Sequence, residues 1–129
     1  MSGKEKAAVF AIGAAGYPLL ELLYRKRTHC SMALAGGICF SLIYRIHKSR
    51  RSFLSRCLRG AAAITAVELA TGLVVNKLMR LHVWDYSRAR FNLLGQVCPR
   101  YTAIWFALTA AVAPLCGVLR RSLAERCAL

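Results

Sequence analysis

The stretch Gly60–Leu78, "GAAAITAVELATGLVVNKL", decides the fold. It is 19 residues long and almost wholly apolar. One acid, Glu68, stands near its middle. A helix crossing a bilayer needs about 20 mostly apolar residues. A soluble helix of that length would need a polar outer face, and this one has none. Alternation with period two is absent, so a barrel strand is excluded. The stretch reads as a transmembrane helix.

Three more windows read the same way: Ala7–Tyr24, Cys30–Ile46 and Tyr101–Leu119. Each is flanked by Arg or Lys, which reach the interface on long stems. Lipid leaves no water for unpaired backbone groups, so all four must be helices. The first window, with Lys4 and Lys6 ahead of it, has the charged start of a signal peptide. However, Glu21 interrupts it and no clean cleavage site follows, so it reads as a retained span. The expected fold class is all-α. It is a polytopic membrane protein with a bundle of four transmembrane helices, forming a single integral membrane domain over 1–129. A polar connector, 80–100, joins helices three and four as an interfacial or re-entrant segment.

Composition agrees. The chain has 129 residues and is 57% hydrophobic, against about 45–50% for a soluble domain even with glycine counted. Lys and Arg number 19 against 5 acids, a formal charge of +14. Such a balance suggests nucleic acid first. The placement argues otherwise. The basic residues cluster between apolar runs, as in "YRKR", "RIHKSRRSFLSRCLR" and "LRRSLAER". Loops facing anionic lipid headgroups look like this. The expected partners are the lipid bilayer and anionic headgroups, with no nucleic acid. The N-terminus, the second loop and the C-terminus carry somewhat more positive charge than the other loops. That balance favours both termini inside. "HKSRRSFLSRCLR" reads as a short interfacial helix lying on the headgroups.

Six cysteines form no C-x-x-C pair, so no zinc or redox signature arises. They read as small buried hydrophobes. No cofactor or metal site is expected.

Glu21 and Glu68 need an explanation. A charged acid at the bilayer centre costs at least about 2.5 kcal/mol, so it should face the bundle and find a partner. For Glu21 a salt bridge to Arg25 would suffice. In "VELATG", Glu68, Thr71 and Gly72 share one helix face, and Gly72 admits a close neighbour. Either these groups form a structural polar network or they line an ion or substrate pathway. Pro18 and Pro114 interrupt their helices' hydrogen bonding. The small residues Gly13–Gly16, Ala33 and Ala35–Gly37 favour tight helix contacts. Four spans enclose little interior, so a transport path implies a homo-oligomer or another membrane subunit.

The connector holds "VWDYSRARFNLLGQVC", Val83–Cys98. Trp84 and Tyr86 suit the membrane interface. Asp85 can bond the backbone two residues on. Asn92, Gly95 and Gln96 can tie the piece together, folded back over Glu68. It would then act as a gate or a staple, and the reading leans towards a staple. His82 with Cys98, or with Asp85 as well, would be needed for an intramembrane enzyme. Nearness in sequence is not geometry, and the chain is read as a non-enzyme.

The run "ELATG…WDYS…FNLLGQVC…YTAIWF" resembles the type IV ABC-transporter permease-like (CmpB-like) family of small bacterial membrane proteins. It is also similar to the transmembrane protein 229 family of animals. The resemblance covers Glu68 to Phe106. It implies roles for Glu68, Gly72, Trp84, Asp85, Tyr86, Ser87, Asn92, Gly95, Gln96 and Trp105. The first half departs from the pattern: Gly16 lies five residues before Glu21, where relatives have four. A Gly- and Pro-containing segment between the first two helices is missing. The resemblance implies transport in the cell membrane as a permease-like or accessory component. The alternative is a non-transporting scaffold in which the same residues only lock the fold. No G-x-x-x-x-G-K-[ST] motif occurs, so a separate ATPase would be required.

Overall fold

The computed structural model describes residues 3–26 and 28–127; the side chains of Arg25, Arg126 and Cys127 lie outside that description. The expected Glu21–Arg25 pair therefore falls outside the described residues. Four helices run in order: α1 (Gly3–Arg25), α2 (Cys30–Lys48), α3 (Phe53–Gly72) and α4 (Pro99–Cys127). Six further residues, Leu73–Leu78, continue α3 as a π-helical turn. All four are long and apolar enough to cross a membrane. Among the described residues the only strand-like pairing is one isolated bridge, Leu93 with Val97. The chain is an all-α, multi-pass membrane protein.

Local chemistry sets the helix ends. His29 Nδ1 accepts the Ser31 N–H (3.1 Å) at the start of α2. Ser49 Oγ donates to the Ile46 carbonyl (2.6 Å) at its end. Ser52 then caps α3, its hydroxyl accepting the Ser55 N–H (3.2 Å). Pro18 and Pro114 both lie inside continuous helices.

The basic loop differs from the sequence expectation of a separate interfacial helix. His47 and Lys48 close α2, residues 49–52 make the turn, and Phe53 onwards is already α3. Nothing between Ser52 and Gly60 breaks a helix, so the span begins seven residues earlier than expected. Cys57 faces the bundle, while Leu54 and Leu58 face out.

Helices α1 and α2 form a tight hairpin, which packs through α2 onto α3 and α4. The tightness depends on glycine. A Cβ on Gly36 would sit 2.5 Å from Tyr17 Cβ and 2.6 Å from the Gly13 carbonyl oxygen. No side chain fits, so the two backbones touch. Val9, Ile43, Tyr44, Ala61, Ile64, Trp105 and Cys116 form the main core. Leu19, Leu20, Leu23, Leu34, Leu58 and Val118 point outward on the four helices. In water that surface would be an aggregation liability; in a bilayer it is the lipid-facing skin.

The end carrying the N-terminus and the 49–52 turn is tied by polar groups. Tyr44 Oη donates to Glu5 Oε1 (2.6 Å) and Lys48 Nζ pairs with the same oxygen (3.2 Å). His47, buried on α2, bonds through Nε2 to the Thr109 carbonyl of α4 (2.9 Å). Arg56 Nη1 donates to the His47 carbonyl (3.3 Å). These bonds join all four helices at the basic end. The opposite end is closed by the connector. Helix α1 meets α4 only sparsely, and between the two lies the main cavity.

Candidate functional site

The site begins at the end of α3. Past Gly72 the helix widens, and the Met79 N–H bonds the Val74 carbonyl five residues back (2.9 Å). Val75 and Asn76, three and four residues after Gly72, share its buried face, while Lys77 and Leu78 stay outside. Asn76 is the hub of the cap. Its Oδ1 accepts the Val83 N–H (2.7 Å), and its Nδ2 donates to Gln96 Oε1 (2.8 Å). Gln96 Nε2 donates to the Leu94 carbonyl (3.0 Å). Trp84 Nε1–H donates to the Gln96 carbonyl (3.0 Å). Every one of these buried polar groups has a partner, as burial demands.

The connector lies flat on the bundle because Gly72 has no side chain. A Cβ there would stand 2.5 Å from Gln96 Oε1 and 3.0 Å from the Trp84 ring. Trp84, 7% exposed, packs on Met32 and Ala35 of α2. The connector's own turn runs Leu93–Gln96, closed by the Gln96 N–H on the Leu93 carbonyl (3.0 Å). Leu94 and Gly95 take φ of 56° and 73° there. Glycine suits the second position; leucine at the first is strained.

On the rim, the Asp85 carboxylate accepts the Ser87 N–H (2.9 Å). That bond holds the exposed Asp85 carboxyl below its ordinary pKa. Asn92 donates to the Ser87 and Ala89 carbonyls (3.1 and 3.0 Å) and accepts the Gly95 N–H (2.9 Å). Asp85, Ser87, Asn92 and Gly95 are therefore joined in one tight turn system.

Glu68 lies one step deeper. Tyr86 Oη donates to its Oε2 (3.1 Å) and Trp105 Nε1–H to its Oε1 (3.3 Å). Tyr86 comes from the connector and Trp105 from α4, so the acid on α3 joins three segments. Burial first, then the Glu68 carboxylate, pushes the Tyr86 phenol well above its ordinary value, keeping it a donor. Tyr101 stacks on Tyr86 (centroids 4.5 Å apart, 9° between planes). Tyr17 of α1 meets the Trp105 ring edge-on at 6.3 Å. Glu68, Tyr17, Trp84, Tyr86 and Trp105 all line the cavity of about 350 Å³ between the α1–α2 hairpin and α3–α4. The rest of its wall is chiefly Leu, Ile, Val and Gly.

The structure thus brings Glu68, Tyr86, Trp84 and Trp105 to one cavity, with Gly72 and Gln96 beneath Trp84. Asp85 is exposed and bonds Ser87, at the rim. Glu21 is buried on α1 and does not line that cavity. His82 is exposed while Cys98 is buried. Among the described residues no three His, Cys, Asp or Glu side chains are placed to hold a metal. The five cysteines described are free. Sequence reasoning missed Asn76, Tyr17 and Tyr101. Asn76 carried one signal: it is the one side-chain amide in the Gly60–Leu78 window.

A family model described as "Putative ABC-transporter type IV" matches residues 21–127. No curated protein and no solved structure matches the chain.

Proposed function

We propose, on the premise that this chain belongs to the "Putative ABC-transporter type IV" family, that it is a permease-like membrane subunit. It would hold its solute in the cavity between the two helix pairs. One observation carries the reading: an acid from α3, held by donors from the connector and α4, lines a cavity among the four apolar helices. Intramembrane acids are costly and mark pathways by default. Energy would come from a separate ATPase, because the chain has no phosphate-binding loop of its own. The cell membrane, with anionic headgroups at the basic end, is the proposed setting. Four helices leave a thin wall, so a further membrane subunit or a second copy would complete the path.

Affinity purification of the tagged chain from its native membranes is expected to bring down an ATPase. In Glu68→Gln, assembly should persist while ATP hydrolysis by the complex falls about tenfold, a loss of about 1.4 kcal/mol in the barrier. No ATPase in the complex would overturn the subunit reading. Equal hydrolysis in an intact Glu68→Gln complex would remove Glu68 from the path.

A second reading has its own support. The hydrogen bonds among Asn76, Gln96 and Trp84 are satisfied within the cap. A staple with no solute to pass would be built the same way, and the protein would then be a scaffold. Equal hydrolysis with lowered thermal stability in Glu68→Gln is its signature.

A further inference from the structure

The Glu68 cavity carries a second message about what fits it. Its wall is apolar except at one end. There Glu68 lines it together with four aromatic rings: Tyr17, Trp84, Tyr86 and Trp105. No Lys, Arg or His lines it among the described residues. The carboxylate has two neutral donors, one on each oxygen. A carboxylate accepts about four hydrogen bonds, so two donors leave it room for about two more contacts. Buried charges are otherwise paired with an opposite charge. Here no built-in cation comes from the cavity wall.

Aromatic faces attract cations, and they do so more strongly where water is excluded. An acid ringed by aromatics, at the end of an apolar chamber, is complementary to an apolar molecule with one diffuse positive charge. The cavity's volume, about 350 Å³, falls in the range of small-molecule sites, about 300–1,000 Å³. Exposed residues of α1 (Ile12, Leu19 and Leu20) and of α4 (Leu115) line the cavity, on the side where those helices barely meet. Solute dissolved in the bilayer would reach it without crossing the polar cap.

We propose that this cavity binds lipophilic cations, such as quaternary ammonium or phosphonium compounds, with Glu68 as counter-charge and the Tyr17, Trp84, Tyr86 and Trp105 rings as the cation-facing wall. The proposal rests on the permease-like reading for its purpose, but its test does not.

The test uses the purified full chain alone, in phosphatidylcholine nanodiscs, with tetraphenylphosphonium as probe. Saturable binding is expected, weakened about tenfold or more in Glu68→Gln. Tyr17→Leu should weaken it about threefold or more. Tetraphenylborate has the same shape and the opposite charge. It should bind no better to the wild type than to Glu68→Gln. Ile12→Trp narrows the cavity from its wall and leaves the Glu68 bonds in place. It should block the cation even if Glu68→Gln folds poorly. Undiminished binding in Ile12→Trp, equal affinity for the two ions, or no binding at all would overturn the proposal. In the last case the chamber holds only lipid chains. Binding by the lone chain with no ATPase partner would sink the transport reading and leave the cation site standing. A partner ATPase without cation binding would do the reverse.

Discussion

Trp84→Ala is expected to cost about 3–5 kcal/mol of stability, the range for removing a buried large aromatic. Three contributions add. The indole fills the space over Met32, Ala35 and Gly72, and alanine leaves that space empty. Its N–H is the donor to the Gln96 carbonyl, and an orphaned buried acceptor costs about 1–3 kcal/mol. The ring also pins the one irregular segment of the chain to the helices. Trp84→Phe keeps most of the packing and loses only the donor, so it should cost less than half as much. Near-ultraviolet circular dichroism melts in detergent, with protease cutting between Arg88 and Arg100, would measure both. A Trp84→Ala protein that melts with the wild type would refute the idea that this ring seats the connector.

Gly36→Leu is expected to have a comparable or larger effect, about 3 kcal/mol or failure to assemble. The first side-chain carbon already overlaps Tyr17 and the Gly13 carbonyl. The α1–α2 hairpin would have to part along its length. The loss would be of packing, since in lipid there is no water-driven force to hold helices together. Even Gly36→Ala should destabilise. Gly16→Ala is the control: a Cβ there meets nothing within 4 Å, so its cost should be near zero. Thermal melting of the three variants side by side makes the comparison. Equal behaviour of Gly16→Ala and Gly36→Ala would contradict the close crossing.

Much of this architecture can be read before any coordinates are seen. Four apolar windows bracketed by Lys and Arg announce four spans, because lipid permits little else. The windows and the helices share the ends Tyr24, Cys30 and Leu78, and differ most at the start of α3 and the end of α4. Phe53–Arg59 reads as a surface piece because it is rich in arginine, yet Ser52 caps it and no breaker separates it from Gly60. Helix continuity there outweighs local polarity.

The site divides in the same way. Glu68, Trp84 and Tyr86 stand out because an acid and two rings are conspicuous among Ala, Leu and Val. What each one bonds is not legible, since that depends on where the connector turns. Asp85 illustrates this: beside Trp84 in sequence, it points outward because the Ser87 amide takes its carboxylate. Asn76 went unread for a different reason. Its face is legible, four residues after Gly72, but its partner Gln96 lies across an irregular segment whose turns the sequence does not reveal.

That widened turn, Leu73–Leu78, sets a phase. In a regular helix each residue stands about 100° round the axis from the last. One extra residue absorbed in a ring of hydrogen bonds therefore rotates everything after it by about that angle. Gly72 and Asn76, four residues apart, share a face in either geometry; what the offset turns is the chain from Met79 on, where the connector leaves the helix. The segment is thus constrained in length as well as in chemistry. Leu73, Val74 and Leu78 face outward and tolerate exchange for other apolar residues, yet none of them is dispensable as a count. The direction in which the chain leaves α3 for the cap over Glu68 is thus set by a residue count.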